Sequence, residues 1–190
     1  MRKPGILFLL ILCSALFLTS CKGSLFLRER NFSTLQTPSG VVTAKNGFAE
    51  GELGDTMQTA FFQFTVLSAD FIEDANGYQP AAGHRLVDCV IVTQNTFGDD
   101  LEMYDYDFQM QWGGEGEDDY SNPIAATYET MVPSSYTLGD LEKSEYHYIY
   151  EVPEGSSSFS VSFLEYFDDG TEGDVFFVYF NLESPNTKSV

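Results

Sequence analysis

The residue types most suited to chemistry in this 190-residue chain form acidic clusters at 99–102, 115–119 and 168–174. The last cluster offers four candidate ligands of Ca²⁺, namely Asp168, Asp169, Glu172 and Asp174, because this ion prefers several carboxylate and carbonyl oxygens on a flexible loop. The spacing is not that of an EF-hand, since Gly170 stands two residues after Asp168, where a ligand is required. Segments of the Asp-Asp-Gly type also favour solvated hairpin turns, so both interpretations stay open.

Three tyrosines that follow the second acidic cluster are candidates for binding a ligand. Tyr120, Tyr128 and Tyr136 lie in turn-like sequence, and we expect their rings to be exposed. Aromatic faces beside carboxylates and hydroxyls can bind sugars or peptides. The aromatic residues from Tyr104 to Trp112 alternate with period two instead, which is typical of a sandwich core.

Only two histidines, His84 and His147, are available for acid–base or metal chemistry. No Gly-x-Ser-x-Gly segment accompanies them, and His147 is expected to alternate outward among tyrosines. No His and Cys residues stand at the close spacing that zinc requires. We therefore expect no enzyme activity and, apart from the Ca²⁺ alternative, no cofactor.

The beginning of the sequence has the features of an export signal. Arg2 and Lys3 precede an apolar run of about 14 residues, whose helix of about 21 Å is too short to span a membrane. Residues 18–21, Leu-Thr-Ser-Cys, resemble the cleavage box of bacterial lipoproteins, which implies that residues 1–20 are removed and Cys21 is acylated. This predicts a lipid-anchored protein on the extracytoplasmic face of a bacterial cell membrane. The alternatives are an ordinary secretory signal and an uncleaved anchor.

Cysteine usage agrees with that location. Cys13 lies in the signal and Cys21 takes the lipid, so only Cys89 remains in the mature domain. We therefore expect no disulfide within the mature chain. Cys89 lies in the apolar run 87–92 and is predicted to be a buried small hydrophobe rather than a reactive thiol.

The formal net charge of −20 comes from 29 acidic and 9 basic side chains. Nucleic-acid binding depends on clustered Lys and Arg, so the charge excludes nucleic acid as a partner. Apolar residues make up 43% of the chain, which is enough for one folded core. A polytopic membrane protein is excluded because no second long apolar run follows the first.

Beyond residue 53 the sequence alternates with period two between turn-rich segments. Phe159, Val161 and Phe163, for example, alternate with the serines at 158, 160 and 162. The pattern predicts an all-β fold, an immunoglobulin-like antiparallel β-sandwich of seven or eight strands. The predicted organisation is a signal peptide at 1–20, a flexible tether at 21–52 with a short strand at 41–43, the sandwich at 53–183 and a tail at 184–190.

Several segments occur in an order that resembles a known family. They are GDTM at 54–57, FTV at 64–66, GHRLV at 83–87 leading to VTQN at 92–95, LGD at 138–140 and YIYEVP at 148–153. Together with the lipoprotein start, they resemble a large family of bacterial lipoproteins with an extracellular Ig-like domain of unknown function. The family's fold is similar to that of the immunoprotective extracellular antigen of mycobacteria. The resemblance implies a fold and a location, and it brings no catalytic residues.

These features together predict a lipid-anchored, extracellular, Ig-like binding or adhesion module without catalysis. Its expected partners are the membrane, through the N-terminal lipid, and an envelope protein, a peptide or a cell-wall ligand. The alternative is a structural or accessory envelope lipoprotein that Ca²⁺ stabilises.

Overall fold

The computed structural model describes residues 40–113 and 119–183, which form twelve β-strands and one 3-10 helix. The strands are β1 (Val41–Thr43), β2 (Phe48–Glu52), β3 (Thr56–Gln58), β4 (Phe62–Ile72), β5 (His84–Asn95), β6 (Leu101–Tyr104), β7 (Gln109–Trp112), β8 (Tyr120–Ser121), β9 (Ser135–Leu138), β10 (Lys143–Pro153), β11 (Ser158–Tyr166) and β12 (Glu172–Asn181). Within those two ranges, no helix has the length and apolar character needed to cross a membrane. The predicted signal peptide, Cys21 and the tail at 184–190 lie outside the described residues.

Two five-stranded sheets form the predicted sandwich. The strand order is β1-β3-β4-β5-β10 in the first sheet and β2-β12-β11-β7-β8 in the second, while β6 and β9 form a separate two-stranded ladder. The all-β sandwich is thus confirmed. β5 and β12, which contain the apolar runs 87–92 and 175–180, both lie inside their sheets. It has more strands than expected and is not purely antiparallel, because β1 pairs parallel with β3 and β2 pairs parallel with β12.

The sheets begin earlier in the chain than the predicted boundary at residue 53. β1 is the short strand predicted at 41–43, and its bounds are confirmed. β2 falls in the part of 21–52 that was predicted to be a flexible tether, and it pairs with β12 from Phe48 opposite Val175 to Glu52 opposite Tyr179. Only Ala49 of β2 is buried, so the strand carries little of the apolar pattern that marks a core strand. The parallel pairing of β2 with β12 joins residues that are far apart in the sequence, so no local sequence pattern predicts it.

The core between the sheets consists largely of aromatic rings in edge contact. The Phe108 ring is fully buried, with its centroid 5.0 Å from that of Phe64 and 5.5 Å from that of Tyr148. Such edge-to-face pairs add to the free energy of burial. Cys89 is fully buried beside them, which confirms its prediction.

A short interruption changes the strand expected at 104–112. The 3-10 helix Asp105–Asp107 separates β6 from β7, so the period-two alternation stops after Tyr104. Tyr104 and Tyr106 are exposed and stacked on each other, with centroids 5.1 Å apart. The prediction that both belong to the core is therefore wrong, and the buried residues start at Phe108.

The outer faces of the two sheets differ. On the first sheet, Leu86 and Ile149 form a second small core with Met131, which comes from the segment that runs beside the β10 edge. The backbone N–H of Ile124 in that segment donates to the carbonyl of Ile149 at 2.8 Å. The chain itself thus covers part of the first sheet and its long edge strand, a common protection of sheet edges.

Candidate functional site

The outer face of the second sheet carries a groove whose floor is a row of serines. In β11, the outward positions Ser158, Ser160 and Ser162 alternate with residues of the core. Larger side chains of the neighbouring strands stand on both sides of these serines. We call this surface the serine groove: its floor is Ser158, Ser160 and Ser162, one wall is Gln109 and Gln111 of β7, and the other wall is Phe177 and Tyr179 of β12.

Strand register places five residues in one row across this groove. Ser160 pairs with Gln111 on one side and Tyr179 on the other, Gln111 pairs with Tyr120 of β8, and Tyr179 pairs with Glu52 of β2. Tyr120 is 47% exposed and Tyr179 is 45% exposed. Three strand spacings separate them, about 14 Å at 4.7–4.9 Å each. Two accessible aromatic rings therefore flank a polar floor.

Two cavities lie at the Ser158 end of the groove. A cavity of about 340 Å³ is lined by Gln111, Ser158, Ser160 and Tyr179 together with Trp112. A second cavity of about 600 Å³ continues from Ser158 and Tyr179 towards the β2 end of the sheet. Ligand sites commonly have volumes in this range.

The polar side chains of the groove differ in their hydrogen bonds to the rest of the described structure. The hydroxyl of Ser158 donates to Oδ1 of Asn181 at 2.8 Å, and that of Ser162 donates to the carbonyl of Gln109 at 3.3 Å. The side chains of Ser160 and Gln111, in contrast, make no hydrogen bond to any other described residue, although Ser160 is only 5% exposed. Both side chains can therefore pair with a bound molecule without giving up a hydrogen bond to a described residue.

The charged side chains around the groove, among the described residues that line or border it, are all acidic. Its described lining residues include no Lys, Arg or His. The Tyr179 hydroxyl donates to Oε1 of Glu50 at 3.5 Å, and the Phe177 ring stacks on Tyr179 with centroids 5.9 Å apart. Burial, followed by the Glu50 charge, raises the pKa of Tyr179. The hydroxyl therefore stays protonated at neutral pH and can donate a hydrogen bond.

The three tyrosines predicted to bind a ligand are not brought together. Tyr120 lies in the row across the serine groove. Tyr128 packs in the small core on the first sheet, with its ring centroid 6.2 Å from that of His147. Tyr136 packs against Tyr146 at 5.0 Å, and its hydroxyl is buried. Only Tyr120 of the three thus lies on this open face.

Of the four predicted Ca²⁺ ligands, Asp168 and Asp169 lie in the turn between β11 and β12, and Glu172 and Asp174 lie at the start of β12. Oδ1 of Asp169 accepts hydrogen bonds from the backbone and hydroxyl of Thr171, at 3.0 and 2.6 Å, and Asp168 is exposed nearby. Glu172 accepts from the Tyr166 hydroxyl at 3.0 Å, and the backbone N–H of Asp174 donates to Glu165 at 3.0 Å. Across the described ranges, no group of three or more His, Cys, Asp or Glu side chains could hold a metal ion. The geometry is that of the hairpin turn, which was the other interpretation.

His147 pairs with Asp88 outside the groove, on the first sheet. Nδ1 of His147 lies 2.9 Å from Oδ2 of Asp88, which joins β10 to β5. Burial raises the pKa of Asp88, although the histidine acts in the opposite direction. The adjacent thiol of Cys89 is buried in the core between the sheets, so it does not extend this pair.

Sequence reasoning missed Tyr179 and Gln111 as site residues. The run 175–180 has a hydrophobic residue at every position, which favours burial on both faces, yet Phe176, Val178 and Phe180 are buried while Tyr179 is exposed. The tyrosine within an otherwise apolar strand was the available signal. Gln111 could not be recognised locally, because only the pairing of β7 with β11 places it beside Ser160.

Comparison with known proteins shows the fold and little more. No family model matches the chain, and no curated protein sequence matches it either. The crystal structure of ycdA from Bacillus subtilis, provisionally described as a lipoprotein, superposes with a TM-score of 0.54 at 11% identity. The match covers 66% of this chain and 38% of ycdA, so the chain spans well under half of that protein.

Two further solved structures are similar at lower scores. The yjhA protein of Bacillus subtilis has a TM-score of 0.45 at 14% identity, over 60% of this chain and 79% of its own. An uncharacterised β-sandwich protein of Clostridium difficile has a TM-score of 0.41 at 14% identity, over 70% and 93% of the two chains. At such identities, the likeness to ycdA establishes a shared fold only.

Proposed function

We propose that this chain is a lipid-anchored module of the bacterial envelope that binds an extracytoplasmic ligand in the serine groove. The observation that carries the binding role is the row from Tyr120 to Tyr179, in which two exposed rings flank the polar groups of Ser160 and Gln111, which make no hydrogen bond to another described residue. Sites of this kind combine apolar faces with a few convergent polar groups. In this proposal the protein has no catalytic role and belongs with the Ig-like lipoproteins that its sequence resembles.

The anchor in this proposal rests on residues 18–21, Leu-Thr-Ser-Cys. Cells that express Cys21→Ala are expected to lose palmitate labelling of the protein, because the acylated sulfur is gone. The matched control is Cys89→Ala, which removes a thiol buried in the domain and leaves the lipid site intact. Equal labelling of the wild type and Cys21→Ala would refute the anchor.

The binding surface is tested by blocking the groove with a long side chain. Ser158 is exposed and lines both groove cavities, so Ser158→Arg fills the groove without disturbing the core. The control is Leu67→Arg, which adds the same charge at a 49% exposed position of β4. Full-length protein in detergent is mixed with isolated envelope material and sedimented, and circular dichroism verifies folding of each variant.

We expect the wild type and Leu67→Arg to sediment with the envelope material and Ser158→Arg to remain in solution. Equal retention of both variants, or no retention of the wild type, would contradict ligand binding in the serine groove. That outcome would favour the second role, a structural envelope lipoprotein. The short parallel strand β2, which brings the chain from residue 48 into the second sheet, is consistent with such a spacer.

A further inference from the structure

Resting on the proposed role of the serine groove, we propose that its ligand is a neutral, hydroxyl-rich oligosaccharide. This assignment depends on the side chains that would face the ligand. The Ser160 hydroxyl and the Gln111 amide can each donate and accept hydrogen bonds, and both lack a partner among the described residues. A ligand with many hydroxyls offers the same mixture of donors and acceptors at close intervals.

The aromatic rings supply the apolar part of the contact. Tyr179 and Tyr120 present accessible rings on the two sides of the floor, and stacking on Phe177 holds Tyr179 in place. Each tyrosine combines an apolar ring face with a polar hydroxyl. It can therefore contact a ligand whose surface has both apolar and polar parts. The separation of about 14 Å exceeds one sugar ring, so an oligomer can contact both tyrosines.

Electrostatics argue against an anionic ligand. The described lining includes no Lys, Arg or His, while Glu52 lies at the end of the row and Glu50 beside Tyr179. Phosphate or carboxylate groups in the groove would be repelled and would find no cation to pair with. The part of the ligand that occupies the groove is therefore not anionic, and the peptide arm of the test below separates a neutral ligand from a cationic one.

A peptide that adds to a sheet edge does not fit this location. The strand β11 is paired on both sides, with β7 and β12, and β7 and β12 also have neighbours on both sides. The backbone groups under the groove floor are thus used by the ladders, and a strand could be added only at the outer edges of the sheet, at β2 and β8. Recognition here depends on side chains alone.

The test is calorimetric titration of the full-length protein in a sugar-free detergent with chito-oligosaccharide, cello-oligosaccharide and a lysine-rich peptide. The wild type is expected to bind a neutral oligosaccharide and not the peptide. Tyr179→Ala should weaken that binding at least tenfold, which is about 1.4 kcal/mol. Ser160→Ala should weaken it about threefold to tenfold without lowering the urea midpoint, since the hydroxyl makes no internal bond to a described residue.

The matched control is Tyr166→Ala. Tyr166 is 58% exposed at the far end of β11, six residues and about 20 Å from Ser160, so its loss should leave the affinity unchanged. Oligosaccharide binding that survives Tyr179→Ala and Ser160→Ala, or binding of the peptide instead, would overturn the proposal.

Failure of this inference can be told apart from failure of the proposed function. If no neutral oligosaccharide binds while envelope retention still depends on Ser158, the ligand class is wrong and the groove remains a binding site. If retention is also insensitive to Ser158→Arg, both proposals fall together.

Discussion

The 3-10 helix at Asp105–Asp107 contains a carboxyl group whose ionisation the fold opposes. Burial raises the pKa of Asp107 to about 6, from an ordinary value of 3.8, even though its carboxylate accepts the backbone N–H of Tyr104 at 2.7 Å. The charge of Asp105 contributes in the same direction as burial. Asp107→Asn removes the charge and keeps an oxygen that can accept the same hydrogen bond.

The sign of the effect follows from the two pKa values. Because the folded-state pKa lies above the unfolded-state value, the folded protein holds an extra proton between pH 3.8 and about 6. The contribution of Asp107 to the free energy of unfolding is therefore fully present below pH 3.8, decreases as the pH rises and is lost above about pH 6. The shift corresponds to at most about 3 kcal/mol, and solvent contact of the half-buried side chain reduces it to about 2 kcal/mol.

We expect Asp107→Asn to stabilise the protein by about 2 kcal/mol at about pH 7.5 and to have little effect at about pH 4. Urea denaturation of both proteins at the two pH values measures the difference. Asp105→Asn is the control, since it removes the same charge from the same 3-10 helix and should stabilise less. An equal gain at both pH values, or an equal gain from the control, would refute a specific effect of burying Asp107.

Three other perturbations follow from the structure. Gly173→Ala should destabilise the protein by about 1–3 kcal/mol, because the added Cβ would lie 2.6 Å from Oε2 of buried Glu165. Gly155→Ala, with nothing within 4 Å of the new Cβ, is its control, and equal urea midpoints would contradict the packing argument. Phe108→Ala should cost about 3–5 kcal/mol in the same assay, since its ring is fully buried among aromatic neighbours, and a cost below about 1 kcal/mol would be inconsistent with that core. Millimolar Ca²⁺ should leave the melting temperature unchanged relative to EDTA, because the hairpin carboxylates do not converge; a clear rise would restore the metal hypothesis.

The long strands could be predicted from the sequence because their alternation is local. Ser158, Ser160 and Ser162 face outward and the phenylalanines between them face the core, as the period-two pattern requires. The strand β2 could not be predicted, since its partner β12 lies more than a hundred residues away and only Ala49 is buried. The break after Tyr104 was also missed, because a single 3-10 turn shifts the alternation without changing the residue types.

The candidate site depended still more on tertiary structure. The sequence predicted Tyr120 as a ligand-binding residue. Its neighbours Gln111, Ser160 and Tyr179 come from three different strands, and only the register of the strand pairing brings them together. Tyr136 shows the opposite error, because a turn-like surrounding sequence suggested exposure whereas packing on Tyr146 buries its hydroxyl.

Hydroxyl-radical footprinting on intact cells tests the central claim, ligand binding in the serine groove, most directly. Tyr120 and Tyr179 are accessible on the two sides of the groove floor, while Tyr104, Tyr106 and Tyr166 are comparably exposed elsewhere and serve as internal controls. Compared with purified protein in detergent, oxidation on cells should fall at Tyr120 and Tyr179 and stay the same at the three controls. Unchanged oxidation at Tyr120 and Tyr179, or protection confined to the control tyrosines, would contradict the assignment of the serine groove as the binding surface.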